Sequence, residues 1–179
     1  MNVANAITLL RILLIPVLVI FLIENEARFA FMVFLAAGIS DGLDGFVARV
    51  FKQKTLVGAY LDPIADKLLL TTAFVTMAVL GMLPAWLAVV VVSRDVIIVA
   101  GIGVLMLFDR PIAIRPSLVS KTTTCVQIVL VGVLLGHQYL PILMEFESSL
   151  IYLTAIFTLL SGLHYVAVGF RALVAHVEQ

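Results

Sequence analysis

The sequence predicts an all-α fold: an integral membrane bundle of six transmembrane helices, forming one domain over residues 1–179. Three observations predict it. The chain is 63% hydrophobic and 12% charged, with a mean hydropathy of +1.22, whereas a soluble domain carries roughly 25% charged residues. Its apolar residues fall into six runs near the about 20 residues needed to cross a hydrocarbon core. No run alternates like a barrel strand, which leaves helices to satisfy the backbone in lipid. Eleven basic residues balance eleven acidic ones, so there is no basic surface to suggest a nucleic-acid partner.

The first span is expected over about 6–23, ending at Glu24-Asn-Glu-Ala-Arg28. Arg11 lies inside its apolar stretch and no small-residue cleavage site follows, so it reads as a retained span and not a removed leader. The second begins near Phe29 and carries Asp41, Asp44 and Arg49 in its last turns. After Lys52-Gln-Lys54 the third begins near Gly58, with Asp62, Asp66 and Lys67 in its first turns. The uncharged run from Leu68 to Ser93 is too long for one span, and Gly81-Met-Leu-Pro84 divides it, because Gly suits a helix end and Pro a first turn. The fourth span is expected over about 84–108 with Arg94-Asp95 inside it, the fifth over about 118–136, and the sixth over about 148–170. Cys125 reads as a small buried hydrophobe, and His164 as a packed, hydrogen-bonded histidine of the sixth span.

Six spans put Arg49, Lys52, Lys54, Arg110, Arg115, Lys121 and Arg171 on one side. The other side holds Arg28 among Glu24, Glu26, Glu145 and Glu147. The positive-inside rule makes both termini cytoplasmic, as in a bacterial inner-membrane protein, and sets the aspartates in the cytoplasmic half of the bilayer. Arg94, ten residues into its helix, is about 15 Å deep, where it could form a cavity floor. Arg94 and Asp95 are adjacent and share no helix face, so each is expected to find its partner elsewhere.

The chemistry concentrates between Asp41 and Asp66, DGLDGFVARVFKQKTLVGAYLDPIAD. Asp41 and Asp44 are three apart and Asp62 and Asp66 four apart, so each pair shares a helical face. An aspartate at mid-bilayer opposes insertion by roughly 2.5–3.5 kcal/mol, and four together signal function. Carboxylate oxygens suit Mg²⁺ or Mn²⁺, with no Cys/His set for zinc nearby. Four could hold two divalent cations, the arrangement that stabilises attacking and leaving oxygens in phosphoryl displacement. Arg49 can grip phosphate in bidentate fashion, and Gly45 and Gly58 leave backbone open to a diphosphate. The residues alone point to metal-assisted transfer at a diphosphate with a lipid substrate.

Asp41-Gly-Leu-Asp44-Gly45-Phe-Val-Ala48-Arg49, eight residues, Gly58, three residues, Asp62, three residues and Asp66 resembles the signature of the CDP-alcohol phosphatidyltransferase family. The resemblance implies a six-helix homodimer with a polar cavity open to the cytoplasm. It implies two divalent cations on Asp41, Asp44, Asp62 and Asp66, with Asp66 also the general base on the acceptor hydroxyl. It places CDP-diacylglycerol against Asn5, Thr8, Gly45, Ala48, Arg49, Thr55 and Gly58, with CMP released and the phosphatidyl group passed to an alcohol.

Arg94-Asp95 and Ser120-Lys121-Thr-Thr-Thr-Cys-Val-Gln127 resemble the branch using glycerol-type acceptors, with Arg94 and Lys121 as acceptor-binding residues. Phosphatidylglycerophosphate synthases typically show Gly-Lys-x-Lys-Thr here; Thr123 replaces the second lysine. The pattern leans to cardiolipin synthases, whose acceptor is the lipid phosphatidylglycerol, with the alcohol phosphate glycerol 3-phosphate as the alternative. A cation-coupled transporter would also use intramembrane carboxylates, but the repeated halves it predicts are missing. A prenyl-type lipid transferase would pack its acids more densely.

Overall fold

A computed structural model describes residues 3–50, 56–107, 118–137 and 139–174. Side chains are described for 7–40, 64–101, 103, 118–137, 139–140 and 142–170. Among these residues the chain is all-helical: α1 (Val3–Ile23), α2 (Ala27–Val50), α3 (Leu56–Val79), α4 (Ala85–Leu107), α5 (Leu118–Gly136) and α6 (Met144–Val174), with a 3₁₀ turn at Pro141–Leu143 leading into α6. The expected order is borne out. The sixth helix starts four residues earlier than the expected 148, because Glu145 and Glu147 sit in its first turn, where acidic side chains complement the helix dipole.

Two reversals are closed by left-handed residues. Asn25, at φ 60°, follows α1, where Glu26 N–H donates to Phe21 C=O at 2.9 Å and Asn25 N–H to Leu22 C=O at 3.1 Å. Gly81, at φ 73°, follows α3 with the same pair of bonds, Met82 N–H to Met77 C=O at 2.9 Å and Gly81 N–H to Ala78 C=O at 3.1 Å. Both are Schellman caps, which satisfy carbonyls that the helix end would leave open. Pro84 then precedes α4, as a residue without an N–H can do at no cost there.

Helix α1 packs on α2 and α3, α6 on α4 and α5, and the two groups meet through α3 with α4 and α2 with α5. The core joins Leu18 and Leu22 of α1, Ala30, Phe34 and Ala37 of α2, Leu69, Leu70, Ala73, Phe74 and Met77 of α3, Leu87 and Val91 of α4, Leu130, Val131, Leu134 and Leu135 of α5, and Ile151 and Ala155 of α6. These recur every three or four residues, the spacing of one helical face. Ala30, Ala37 and Ala73 let the α1–α2–α3 backbones approach closely.

The outward faces are apolar too: Leu13, Ile20, Val79, Val89, Leu118, Tyr152, Leu163 and Phe170 are all more than half exposed. Two helices are long and apolar enough to cross a membrane among the described residues, Leu118–Gly136 and Met144–Phe170; the apolar stretches Ile7–Ile23 and Ala27–Ser40 are shorter. Two expectations are corrected. Cys125 is exposed, because α5 turns Thr123, Gln127, Leu130 and Val131 inward and residue 125 falls on the opposite side of the helix. His164 is exposed as well, roughly a quarter-turn around α6 from the inward stripe of Thr154, Thr158 and Ser161, with its ring edge-on to Tyr165 at 6.0 Å between centroids.

Candidate active site

The signature aspartates fall on two consecutive helices, Asp41 and Asp44 on α2, Asp62 and Asp66 on α3. Asn5, Asp41, Asp44, Gly45, Ala48, Arg49, Thr55, Gly58 and Asp62 lie outside the residues whose side chains are described. Asp66, Thr8, Arg94 and Lys121 lie within them.

Asp66 receives a partner from the first helix. Arg11 Nη1 donates to Asp66 Oδ1 at 2.6 Å, a short charge-assisted bond that ties α1 to α3. Arg11 is fully buried while the Asp66 side chain is 39% exposed, so the arginine backs the carboxylate from the bundle interior. Thr8, three residues before Arg11 and so on the same face of α1, is also fully buried. The face that carries Leu18 and Leu22 into the core thus carries Thr8 and Arg11 toward Asp66. The sequence offered one sign of this, an arginine inside an apolar span, without showing what it meets.

A second polar cluster begins one residue along α3. Lys67 Nζ donates to Asp95 Oδ1 at 2.9 Å, and the same oxygen accepts from Arg94 Nη1 at 2.6 Å. Arg94 therefore does reach its neighbour Asp95, against the expectation from helix faces. The long, flexible arginine can curl back to a short aspartate even where their Cβ atoms diverge. Arg94 is 5% exposed. Its Nε and Nη2 donate to Ser161 Oγ at 3.1 and 2.7 Å, and Nη2 donates to Ser120 Oγ at 2.6 Å. The guanidinium lies 5.9 Å from the Tyr165 ring centroid, within cation–π range. One buried arginine thus fastens α4 to α5 and α6.

Lys121, next to Ser120 on α5, is exposed. Thr123, at the position of the second lysine in the compared motif, is fully buried. Its hydroxyl lies 2.8 Å from Val119 C=O and 3.0 Å from Phe157 C=O, facing α6. Gln127 Nε2 donates to Thr158 Oγ1 at 3.3 Å, and Thr158 Oγ1 to Thr154 C=O at 2.7 Å, continuing a polar seam between α5 and α6.

Among the described residues no three His, Cys, Asp or Glu side chains gather. The chemistry of the acidic donors on α2 and α3 nevertheless fits a hard divalent cation, all oxygen and no sulfur or imidazole. Asp66, partly open while held from behind by Arg11, offers its outer face to such a ligand.

A carboxylate set into an apolar helical bundle and buttressed by a buried arginine defines a helical protein of charge-handling chemistry. The sequence profile of the CDP-alcohol phosphatidyltransferase family matches residues 1–163, so the chain belongs to the CDP-alcohol phosphatidyltransferase family. It is 32% identical over 177 residues to a Schizosaccharomyces pombe protein named as a fusion of cardiolipin synthase (CMP-forming) and a mitochondrial hydrolase, covering 90% of this chain and 30% of that one. Human cardiolipin synthase (CMP-forming) is 32% identical over 147 residues, 73% of this chain and 49% of the human one. The chain therefore spans half or less of the length of these cardiolipin synthases. The Bacillus subtilis CDP-diacylglycerol–glycerol-3-phosphate 3-phosphatidyltransferase is 30% identical over 190 aligned positions, 96% of this chain and 97% of that enzyme.

Proposed function

We propose that the protein moves a phosphatidyl group from CDP-diacylglycerol to a glycerol-type alcohol, releasing CMP, with phosphatidylglycerol as acceptor. The observation that carries this is the arginine-backed carboxylate of Asp66, which stands in the family signature where a base on the acceptor hydroxyl is expected. A base must lie within reach of the hydroxyl it deprotonates, and the Asp66 side chain, anchored by Arg11 at 2.6 Å, keeps 39% of its surface open. Asp41, Asp44, Asp62 and Asp66 would hold two Mg²⁺ or Mn²⁺ ions, which supply charge neutralisation at the diphosphate. Arg49, Gly45, Ala48, Gly58, Thr55, Asn5 and Thr8 bind the CDP-diacylglycerol, Arg49 through a two-point contact with phosphate. Asp66 takes the proton of the attacking hydroxyl as its oxygen bonds to the β-phosphorus and the bond to the CMP oxygen breaks. Arg94 and Lys121 serve the acceptor's phosphate.

The setting in this reading is the membrane, with six spans, both termini and the site on the cytoplasmic side, a bacterial inner membrane as its location, and a homodimer as its assembly. The wide apolar exterior of all six helices supports it, since such surface is unfavourable in water.

Glycerol 3-phosphate is the second reading, favoured by the near full-length relationship to the Bacillus enzyme. The leaning to phosphatidylglycerol rests on Thr123, which brings no second cation to α5. Purified protein in detergent with labelled CDP-diacylglycerol tests both. CMP release that needs a divalent cation and an alcohol supports transfer, and release independent of any alcohol refutes it. Chromatography of the product, with each acceptor supplied separately, decides between them.

A further inference from the structure

A groove opens on the flank of the bundle beside Asp66. Its floor is Phe34 and Ala37 of α2 with Leu69 and Leu70 of α3, each less than 10% exposed, and its walls are Leu35 and Ile39 of α2 and Ile128 of α5, each more than 40% exposed. Gly38 also lines it, and a Cβ there would meet nothing within 4 Å. Asp66 and Thr124 are the polar groups at its lining. The volume is about 360 Å³, within the range of sites for small molecules.

We propose that this groove seats the upper acyl chain of a glycerophospholipid acceptor, whose headgroup hydroxyl is thereby brought to Asp66. The inference rests on the transfer reading above and narrows it: the acceptor is a lipid that arrives sideways between α2 and α5. The polarity is one-ended. A small polyol phosphate would need hydrogen-bond partners on all its faces, because polar groups set against apolar walls without partners cost free energy. An amphiphile needs polar contact at one end alone. Asp66, Leu69 and Leu70 lie at i, i+3 and i+4 on α3, and Thr124 and Ile128 at i and i+4 on α5, so both helices turn a polar residue and then apolar ones along one face. From Asp66 to Leu70 the groove descends about 6 Å, enough for the first methylenes of a chain, and its exposed walls continue into the apolar exterior. The acceptor and not the donor is assigned here because Thr124, the other polar lining group, lies three and four residues along one face of α5 from Lys121 and Ser120, the segment read above as serving the acceptor.

The test fills the groove. Gly38→Leu adds bulk into open space and raises helix propensity, so folding is not at risk; Ile128→Trp is an independent second block. Val129→Trp places the same bulk on α5 at a residue that is 51% exposed and does not line the groove. With purified protein, a divalent cation and saturating CDP-diacylglycerol, each blocking variant should raise the KM for phosphatidylglycerol at least tenfold, leave that for CDP-diacylglycerol within twofold, and differ in this from Val129→Trp. An unchanged KM for phosphatidylglycerol, or a raised KM for CDP-diacylglycerol alone, overturns the assignment. CMP release with glycerol 3-phosphate and none with phosphatidylglycerol upholds the transfer and overturns the groove's role. Photo-crosslinking needs no turnover: phosphatidylglycerol with a diazirine high on its acyl chain should label peptides containing residues 34–39 or 124–128, and lose that label in Gly38→Leu. Label elsewhere refutes the groove even if the protein releases no CMP.

Discussion

Removing the carboxylate of Asp66 should cost more stability than its position near the surface suggests. In Asp66→Ala the guanidinium of Arg11, fully buried, loses an anion at 2.6 Å. Breaking a wholly buried ion pair costs about 3–5 kcal/mol. Asp66 is 39% exposed, and solvent screens its side of the pair, so the cost falls to about 2–3 kcal/mol. Arg11→Met removes the charge and fills the same space with apolar surface, leaving a carboxylate that water can reach, and costs less, about 1–2 kcal/mol. Once Arg11 is methionine, Asp66→Ala should cost little more. Thermal unfolding in one detergent, with both single variants and the double variant, measures this. At about 2–4 °C per kcal/mol for a chain of this size, Asp66→Ala should melt about 4–12 °C below the parent. The double variant should sit well above the sum of the two losses. Effects additive to within about 0.5 kcal/mol would refute the coupling and reduce the contact to a coincidence of packing.

Other outcomes follow from the same residues. Arg11→Lys keeps the charge on a shorter, differently shaped group, and a displacement of the base of order 1 Å lowers kcat by up to about 100-fold; KM for CDP-diacylglycerol should hold, and an equal change in both would move Arg11 into donor binding. Asp66→Asn should retain CDP-diacylglycerol affinity better than Asp41→Asn while losing turnover, measured as binding against kcat; proportional losses in both variants would leave Asp66 a ligand alone. Arg49→Lys should raise KM for CDP-diacylglycerol about tenfold through loss of the two-point phosphate contact, and an unchanged KM would make Arg49 a determinant of orientation. Arg94→Lys should lower the melting temperature by about 4–8 °C, because one ammonium cannot serve Ser120, Ser161 and Asp95 together and roughly 2 kcal/mol of charge-assisted bonding is lost; an unaltered melting point would show that the cluster does not fasten α4 to α5 and α6.

The helices were legible because lipid-like composition leaves the chain one way to satisfy its backbone, and because Gly81 and Pro84 are local signals with local causes. The placement of the four aspartates on two consecutive helices was legible for the same reason, since a spacing of three or four is itself a helical statement. What could not be read was anything that depends on which face meets which. Arg11 and Asp66 are 55 residues apart, and no periodicity links them. Ser161 and Ser120 look like ordinary small polar residues until Arg94 reaches them. The Arg94–Asp95 contact failed to follow from face geometry because face rules concern Cβ positions, whereas long side chains are governed by their tips. Cys125 and His164 were misplaced by assuming that apolar surroundings in sequence mean burial in space. In a bundle whose outer surface is also apolar, composition cannot tell inside from outside.

The Arg11–Asp66 contact also orders events during synthesis. Arg11 belongs to α1, made before α2 and α3, and the carboxylate it meets in the finished bundle is polymerised 55 residues later. At about 5–20 residues per second that is a delay of roughly 3–11 s. Under the six-span reading, the first helix must spend those seconds at or near the bilayer with a cation in its middle, a placement that costs about 2.5–3.5 kcal/mol. Helix α1 is therefore expected to settle late, when α3 arrives, despite emerging before it.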